Sequence, residues 1–134
     1  MKRSKPKVPG AGSAGRERGA AAVELGLVAP VLLLLVGGII EFSHLYNLQI
    51  SVTQAAREAA RTMAVEHDAA AAQAAGIAGA PGLDAGAFGF NFTGVCDGTP
   101  GNAAVTVTYT AGALTGLLGP TLALEGEGSM QCGG

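Results

Sequence analysis

The sequence contains few of the residues that build the core of a soluble enzyme. Its 134 residues include no tryptophan, and only 4% are aromatic. Only 13% are charged, about half of the roughly 25% that is usual in soluble proteins. Alanine supplies much of the 49% apolar share, and both alanine and the 22 glycines bury little area. This composition predicts one small domain with a thin core, and it argues against an ordinary soluble enzyme.

Basic residues are nearly absent beyond the N-terminal segment. Residues 1–18 have a net charge of +5, whereas the rest of the chain has Arg57 and Arg61 as its only basic residues and a net charge of −7. The basic segment lacks the aromatic residues or recognition helix of a nucleic-acid-binding module, so no nucleic-acid partner is expected. A basic segment directly before an apolar run is typical of the cytoplasmic flank of a membrane span.

Residues 20–40 form that apolar run, AAAVELGLVAPVLLLLVGGII, in which Glu24 is the only charge. A helix of this length is about 30 Å long, which matches the hydrocarbon core of a bilayer. Polar helix follows the run instead of a signal-peptide cleavage site. The sequence therefore predicts a single-pass anchor in the cytoplasmic membrane, with the N-terminus in the cytoplasm and the C-terminus outside. Pro30 is expected to kink this helix, because its ring crowds the carbonyl of Gly26.

Residues 41–66 are predicted to continue the same helix, since no helix breaker interrupts them. Their apolar residues recur every three or four positions and form one narrow stripe. Two interpretations of the stripe remain open. It packs either on the protein's own domain or against neighbouring copies and partner helices. The stripe consists of Leu45, Leu48, Val52, Ala55, Ala59 and Met63.

Residues 67–134 are predicted to form a small extracytoplasmic domain rich in alanine and glycine. Asp68 is a suitable N-cap for a short helix ending near Ala75, and the glycines and proline of residues 76–89 indicate a loop. Residues 103–110 and 121–131 alternate like strands and are expected to pair antiparallel. The predicted fold class is thus α+β, a long N-terminal helix followed by a short antiparallel sheet.

The chemistry available in the sequence is sparse. Cys96 and Cys132 both lie in the predicted extracytoplasmic part, where a disulfide is favoured, although two unpaired thiols remain the alternative. No nucleophile elbow, phosphate-binding loop or metal-ligand spacing is present in the sequence. We therefore expect no enzymatic activity, no cofactor, no metal site and no small-molecule substrate.

The stretch RERGAAAVELGLVAPVLLLLVGGIIEF, followed by SVTQAAREAARTMAV, resembles the TadE family. These proteins are pilin-like minor components of the tight-adherence (Tad, or Flp) branch of type IV pilus systems. The family pattern is a basic leader, a glycine, four residues and a glutamate, which Gly19 and Glu24 match. The resemblance implies cleavage after Gly19 by a prepilin peptidase and a mature N-terminus at Ala20. Leu25 stands where major pilins of this branch have tyrosine, which argues for a minor subunit.

The resemblance implies a membrane-anchored pseudopilin that acts with other pilin-like subunits and with the pilus assembly machinery. A physical reason for Glu24 is that its carboxylate would neutralise the Ala20 ammonium of a staggered neighbouring helix in an apolar layer. A shallow position of Glu24 at the lipid headgroups is the alternative interpretation. The alternative function is an uncleaved, signal-anchored accessory membrane protein that enters no filament.

Overall fold

A computed structural model describes residues 13–94, 96–97, 100–116 and 119–132, with side chains from Arg18 onward. Most of the predicted basic leader, residues 1–12, lies outside the described residues. The chain divides into two compact units, Met1–Gly38 and Ile39–Gly134. The second unit contains every β-strand of the described chain and its buried core.

The first element is helix α1, Ser13–Glu66, which belongs to both units. The long N-terminal helix predicted from the sequence is therefore confirmed. Pro30 lies inside α1, and the helix continues through it. Residues 18–38 of α1 are exposed almost throughout, whereas the part within the second unit has one buried face.

A tight reversal connects α1 to helix α2, Ala69–Ala78. His67 adopts a left-handed conformation with φ of 59°, and its N–H donates to the Met63 carbonyl at 3.2 Å. Asp68 then caps α2, because its carboxylate accepts from the N–H of Ala70 at 2.8 Å. The predicted cap is confirmed, and α2 ends three residues beyond the predicted end at Ala75.

Three strands follow and form an antiparallel meander: β1 (Phe88–Thr93), β2 (Asn102–Gly112) and β3 (Thr121–Gln131). The two predicted strands and their pairing are confirmed. The predicted loop over residues 76–89 is wrong at both of its ends. At its start, α2 continues through Gly76, and at its end β1 already begins at Phe88. Between them lies a short 3₁₀ helix, Ala85–Ala87, capped by Asp84.

The core of the second unit lies between α1 and one face of the sheet. Val105, Val107 and Tyr109 of β2 point into it, and the aromatic residues of β1 pack at its margin. On the α1 side the contact is made by small residues: four of the five buried positions between 52 and 60 are alanines, and larger side chains there would hold the sheet away from the helix. These core residues of α1 are Val52, Ala55, Ala56, Ala59 and Ala60.

Candidate functional site

The three predicted leader-processing residues Gly19, Ala20 and Glu24 lie within the first described turns of α1, and all three are exposed. A side chain added at Gly19 would meet open space, since no other residue approaches within 4 Å. Among the residues whose side chains the structure describes, none forms a hydrogen bond or ion pair with Glu24. The leader motif is therefore accessible to a second protein, and the Glu24 carboxylate is available to a partner from outside the described chain.

The apolar stretch after Glu24 is exposed almost throughout. In the described part of the chain, Arg18–Glu66 is the one helix long and apolar enough to cross a membrane, and its most apolar window is wholly unburied. Leu27 and Leu33 are among its most exposed side chains, and Gly26 has open space around it. An unburied apolar helix of this length supports a single-pass membrane protein.

The predicted stripe on residues 41–66 lies in the protein's own core. Val52, Ala55 and Ala59 are buried in one cluster, and Leu45 and Leu48 pack at its edge. Met63 is buried in a second, smaller cluster. A different face of α1 is left without a partner, because Phe42, Tyr46 and Ile50 are all exposed at intervals of four residues. The interpretation in which the stripe packs on its own domain agrees with this arrangement, and the free apolar face is one the sequence reasoning missed.

Glu41 is a buried carboxylate that the sequence reasoning also missed. Its side chain has no exposed surface and accepts three hydrogen bonds from the connection between β2 and β3. The N–H of Leu114 donates to Oε1 at 3.0 Å, and the N–H of Thr115 donates to Oε2 at 2.7 Å. The Thr115 hydroxyl donates to the same Oε2, also at 2.7 Å. Glu41 therefore fixes the β2–β3 connection to α1 at the first residue after the predicted membrane span.

These donors also set the charge state of Glu41. The Thr115 hydroxyl has the largest effect, and with the two N–H groups it lowers the pKa of the Glu41 carboxyl below its ordinary value, although burial acts in the opposite direction. His44 adds a small favourable charge interaction. No local signal could have identified this site, because the partners lie more than 70 residues away in the sequence.

Cys96 and Cys132 form a disulfide with a Cα–Cα distance of 5.5 Å. It joins the connection between β1 and β2 to the end of β3, where the N–H of Cys132 also donates to the Gly101 carbonyl at 2.9 Å. The sequence left a disulfide and two unpaired thiols as alternatives, and the structure contains the disulfide. The disulfide lies at the end of the sheet where β3 finishes, and the Glu41 cluster lies at the opposite end, where β3 begins.

The described residues contain no cluster of side chains that could bind a metal ion. Across residues 18–94, 96–97, 100–116 and 119–132, no group of three or more His, Cys, Asp or Glu residues could hold a metal ion. Glu125 and Glu127 of β3 are both exposed, and each is separated from the other by the buried Gly126. The notable features of this chain are therefore its leader motif, its apolar helix and the Glu41 cluster.

The similarity of this chain to known proteins lies within helix α1. Residues 19–61 match the family model described as TadE-like protein. The match begins at Gly19 and ends at Arg61, so it contains the predicted leader glycine, Glu24, Glu41 and most of the buried stripe. No curated protein and no solved structure matches the chain. The resemblance found in the sequence is thus confirmed, and the chain carries a TadE-like segment at residues 19–61.

Proposed function

We propose that this protein is a minor pilin or pseudopilin, a membrane-anchored structural component in the assembly of a tight-adherence pilus or a related secretion apparatus. The observation that carries the proposal is the position of the TadE-like match. It begins at Gly19, in the first turns of α1 and just before the most apolar part of that helix, which is unburied. A chain that buries none of this surface by itself requires either lipid or other helices around it.

The proposed maturation step is cleavage after Gly19 by a prepilin peptidase, which leaves Ala20 as the new N-terminus. The open space around Gly19 supports this step, because a peptidase cleft can approach the backbone there. Glu24 then has a specific task. Its exposed carboxylate neutralises the Ala20 ammonium of an adjacent subunit in an apolar layer, where an unpaired charge is costly.

The proposed partners are other pilin-like subunits, the assembly machinery and the membrane. The exposed apolar face of Phe42, Tyr46 and Ile50 supports helix-to-helix packing beyond the span, since the buried stripe is already occupied by the protein's own sheet. The proposed topology has the N-terminus in the cytoplasm, because the basic residues precede the helix. The small domain with its disulfide then lies outside the cytoplasm, where such bonds form.

A second candidate function is an uncleaved, signal-anchored accessory protein that enters no filament. The capacity of α1 to serve as an anchor without any processing favours it. The two functions differ in the fate of the first 19 residues, so the deciding measurement is the intact mass and N-terminal sequence of the protein extracted from its native membrane. A chain that begins at Ala20 supports the pseudopilin. Retention of residues 1–19 supports the accessory anchor.

A further inference from the structure

An exposed apolar side chain also lies outside α1, in the connection between β2 and β3. Outside α1, the large apolar side chains exposed in the described chain are Leu114 and Met130, and Leu114 is the more exposed at 60%. The described residues of this connection carry no charge: Ala113, Leu114, Thr115, Gly116, Gly119 and Pro120.

Hydrogen bonds hold the described residues of this connection in spite of their exposure. The N–H of Ala113 donates to the Pro120 carbonyl at 3.2 Å and closes the base of the turn. The N–H of Gly119 donates to the Gly116 carbonyl at 3.2 Å, and both glycines have positive φ angles. Leu114 therefore lies in a turn that is held by hydrogen bonds, and its backbone N–H donates to the Glu41 carboxylate.

The hydrogen bonds to Glu41 also fix the position of Leu114 along the axis of α1. Ile39 and Ile40, which belong to the same unit as Glu41, are the last residues of the predicted span and are exposed. Each residue of a helix adds about 1.5 Å, so Glu41 lies next to the end of the span. The headgroup layer beyond the hydrocarbon core is about 5–8 Å thick on each side. A residue bonded to the Glu41 carboxylate therefore falls within that layer.

Tilt of the helix does not remove Leu114 from the layer. Transmembrane helices are tilted by about 20° on average. A residue displaced on the order of 8 Å from the axis of such a helix changes its depth by only about 3 Å. The turn thus stays close to the lipid surface on either side of the helix.

We propose that the β2–β3 connection is a membrane contact in which Leu114 inserts into the interfacial layer of the bilayer that its own helix enters. The occupant is the phospholipid surface, and the argument for it is continuity with the apolar end of the span at Ile39 and Ile40. The uncharged turn has no polar side chain that would oppose insertion other than Thr115, whose hydroxyl is bound to Glu41. This proposal rests on the membrane anchoring of residues 20–40.

The absence of tryptophan from the chain makes a direct test possible, because a single introduced indole is then the only one. Leu114→Trp in the full-length protein is reconstituted into phosphatidylcholine vesicles whose lipids carry bromine either near the headgroup or near the end of the acyl chain. Val65→Trp is the matched control, since Val65 is exposed on α1 about 36 Å along the helix from Glu41. Leu33→Trp, within the span, reports on anchoring itself.

We expect Leu114→Trp to lose fluorescence with the headgroup-proximal bromines and to emit at shorter wavelength than Val65→Trp, which is not quenched. If Leu33→Trp is quenched but Leu114→Trp gives the same signal as Val65→Trp, the proposed membrane contact is wrong and the anchoring stands. Failure of Leu33→Trp to be quenched overturns the anchoring, and the contact with it. The three sites are exposed, so the variants preserve the core.

Discussion

Gly128 lies directly against the backbone of Ala56, so that strand β3 and helix α1 approach each other without an intervening side chain. A methyl group added at Gly128 would overlap the Ala56 carbonyl and would lie 2.9 Å from the backbone nitrogen of Arg57. Gly126 makes the same approach one helical turn earlier, where an added Cβ would lie 2.8 Å from the Val52 carbonyl oxygen. The two glycines of β3 thus form the flat surface on which the small residues of α1 pack.

Gly128→Ala is therefore expected to destabilise the second unit by about 1–3 kcal/mol, because the helix or the strand must shift to admit a methyl group. Gly112→Ala is the matched control, since Gly112 ends β2 and has open space around the added atom. Thermal unfolding of the full chain in detergent micelles, followed by circular dichroism, measures both. Equal stability of Gly128→Ala and Gly112→Ala would contradict the close approach.

The sequence predicted the elements of this fold better than it predicted their contacts. Periodicity and length identified α1, the Asp68 cap, β2 and β3, because these signals are local. Strand β1 was missed although Phe88, Phe90 and Phe92 alternate, since the glycines up to Gly89 suggested a loop. The meeting of Glu41 with the β2–β3 connection depends on how the chain folds back, and no local pattern encodes it.

The Glu41 cluster predicts a pH dependence of stability. The folded-state pKa of Glu41 is lowered from the ordinary value of 4.5, so its stabilising effect is complete above that value and is lost as the pH falls through the lowered pKa. Glu41→Gln should therefore be less stable than the wild type at pH 7, and the difference should shrink below pH 4.5. Unfolding curves collected across this range measure it.

The control for the Glu41 variant is Glu66→Gln, which removes a carboxylate from an exposed position at the end of α1. It should match the wild type in stability at neutral pH. A Glu41→Gln variant that is as stable as the wild type at pH 7 would show that the three hydrogen bonds contribute no net stability.

The disulfide predicts that the protein purified from its native compartment has no free thiol under denaturing, non-reducing conditions. Reduction should then release two reactive thiols, from Cys96 and Cys132. With a sequence separation of 36 residues, the cross-link should stabilise the domain by about 3–4 kcal/mol in the chain-entropy model. Unfolding with and without reductant measures that difference, and alkylation of both cysteines before reduction would contradict the bond.

We expect the Gly19→Val substitution to impair processing of the leader without impairing folding. The added side chain meets open space in the structure, so helix α1 should form and insert normally, whereas a peptidase cleft that requires a bare backbone should be obstructed. The basic leader should remain attached and give a larger band on a gel. Gly38→Val is the matched control, because Gly38 also has open surroundings on α1 and should be processed like the wild type. Normal cleavage of Gly19→Val would contradict the proposed cleavage site.

Glu24→Ala should have the converse effect, with substantial cleavage and insertion but reduced assembly. Removing a carboxylate from an apolar segment favours insertion, by about 2.5 kcal/mol if the site is deep. The new ammonium at Ala20 nevertheless loses its proposed partner, so partner association or pilus output should fall. Glu24→Asp, which retains the charge, should restore part of the loss, whereas Glu24→Gln should not. If Glu24→Ala assembled as well as the wild type, Glu24 would be a shallow interfacial residue, and the physical argument for a pseudopilin would be lost.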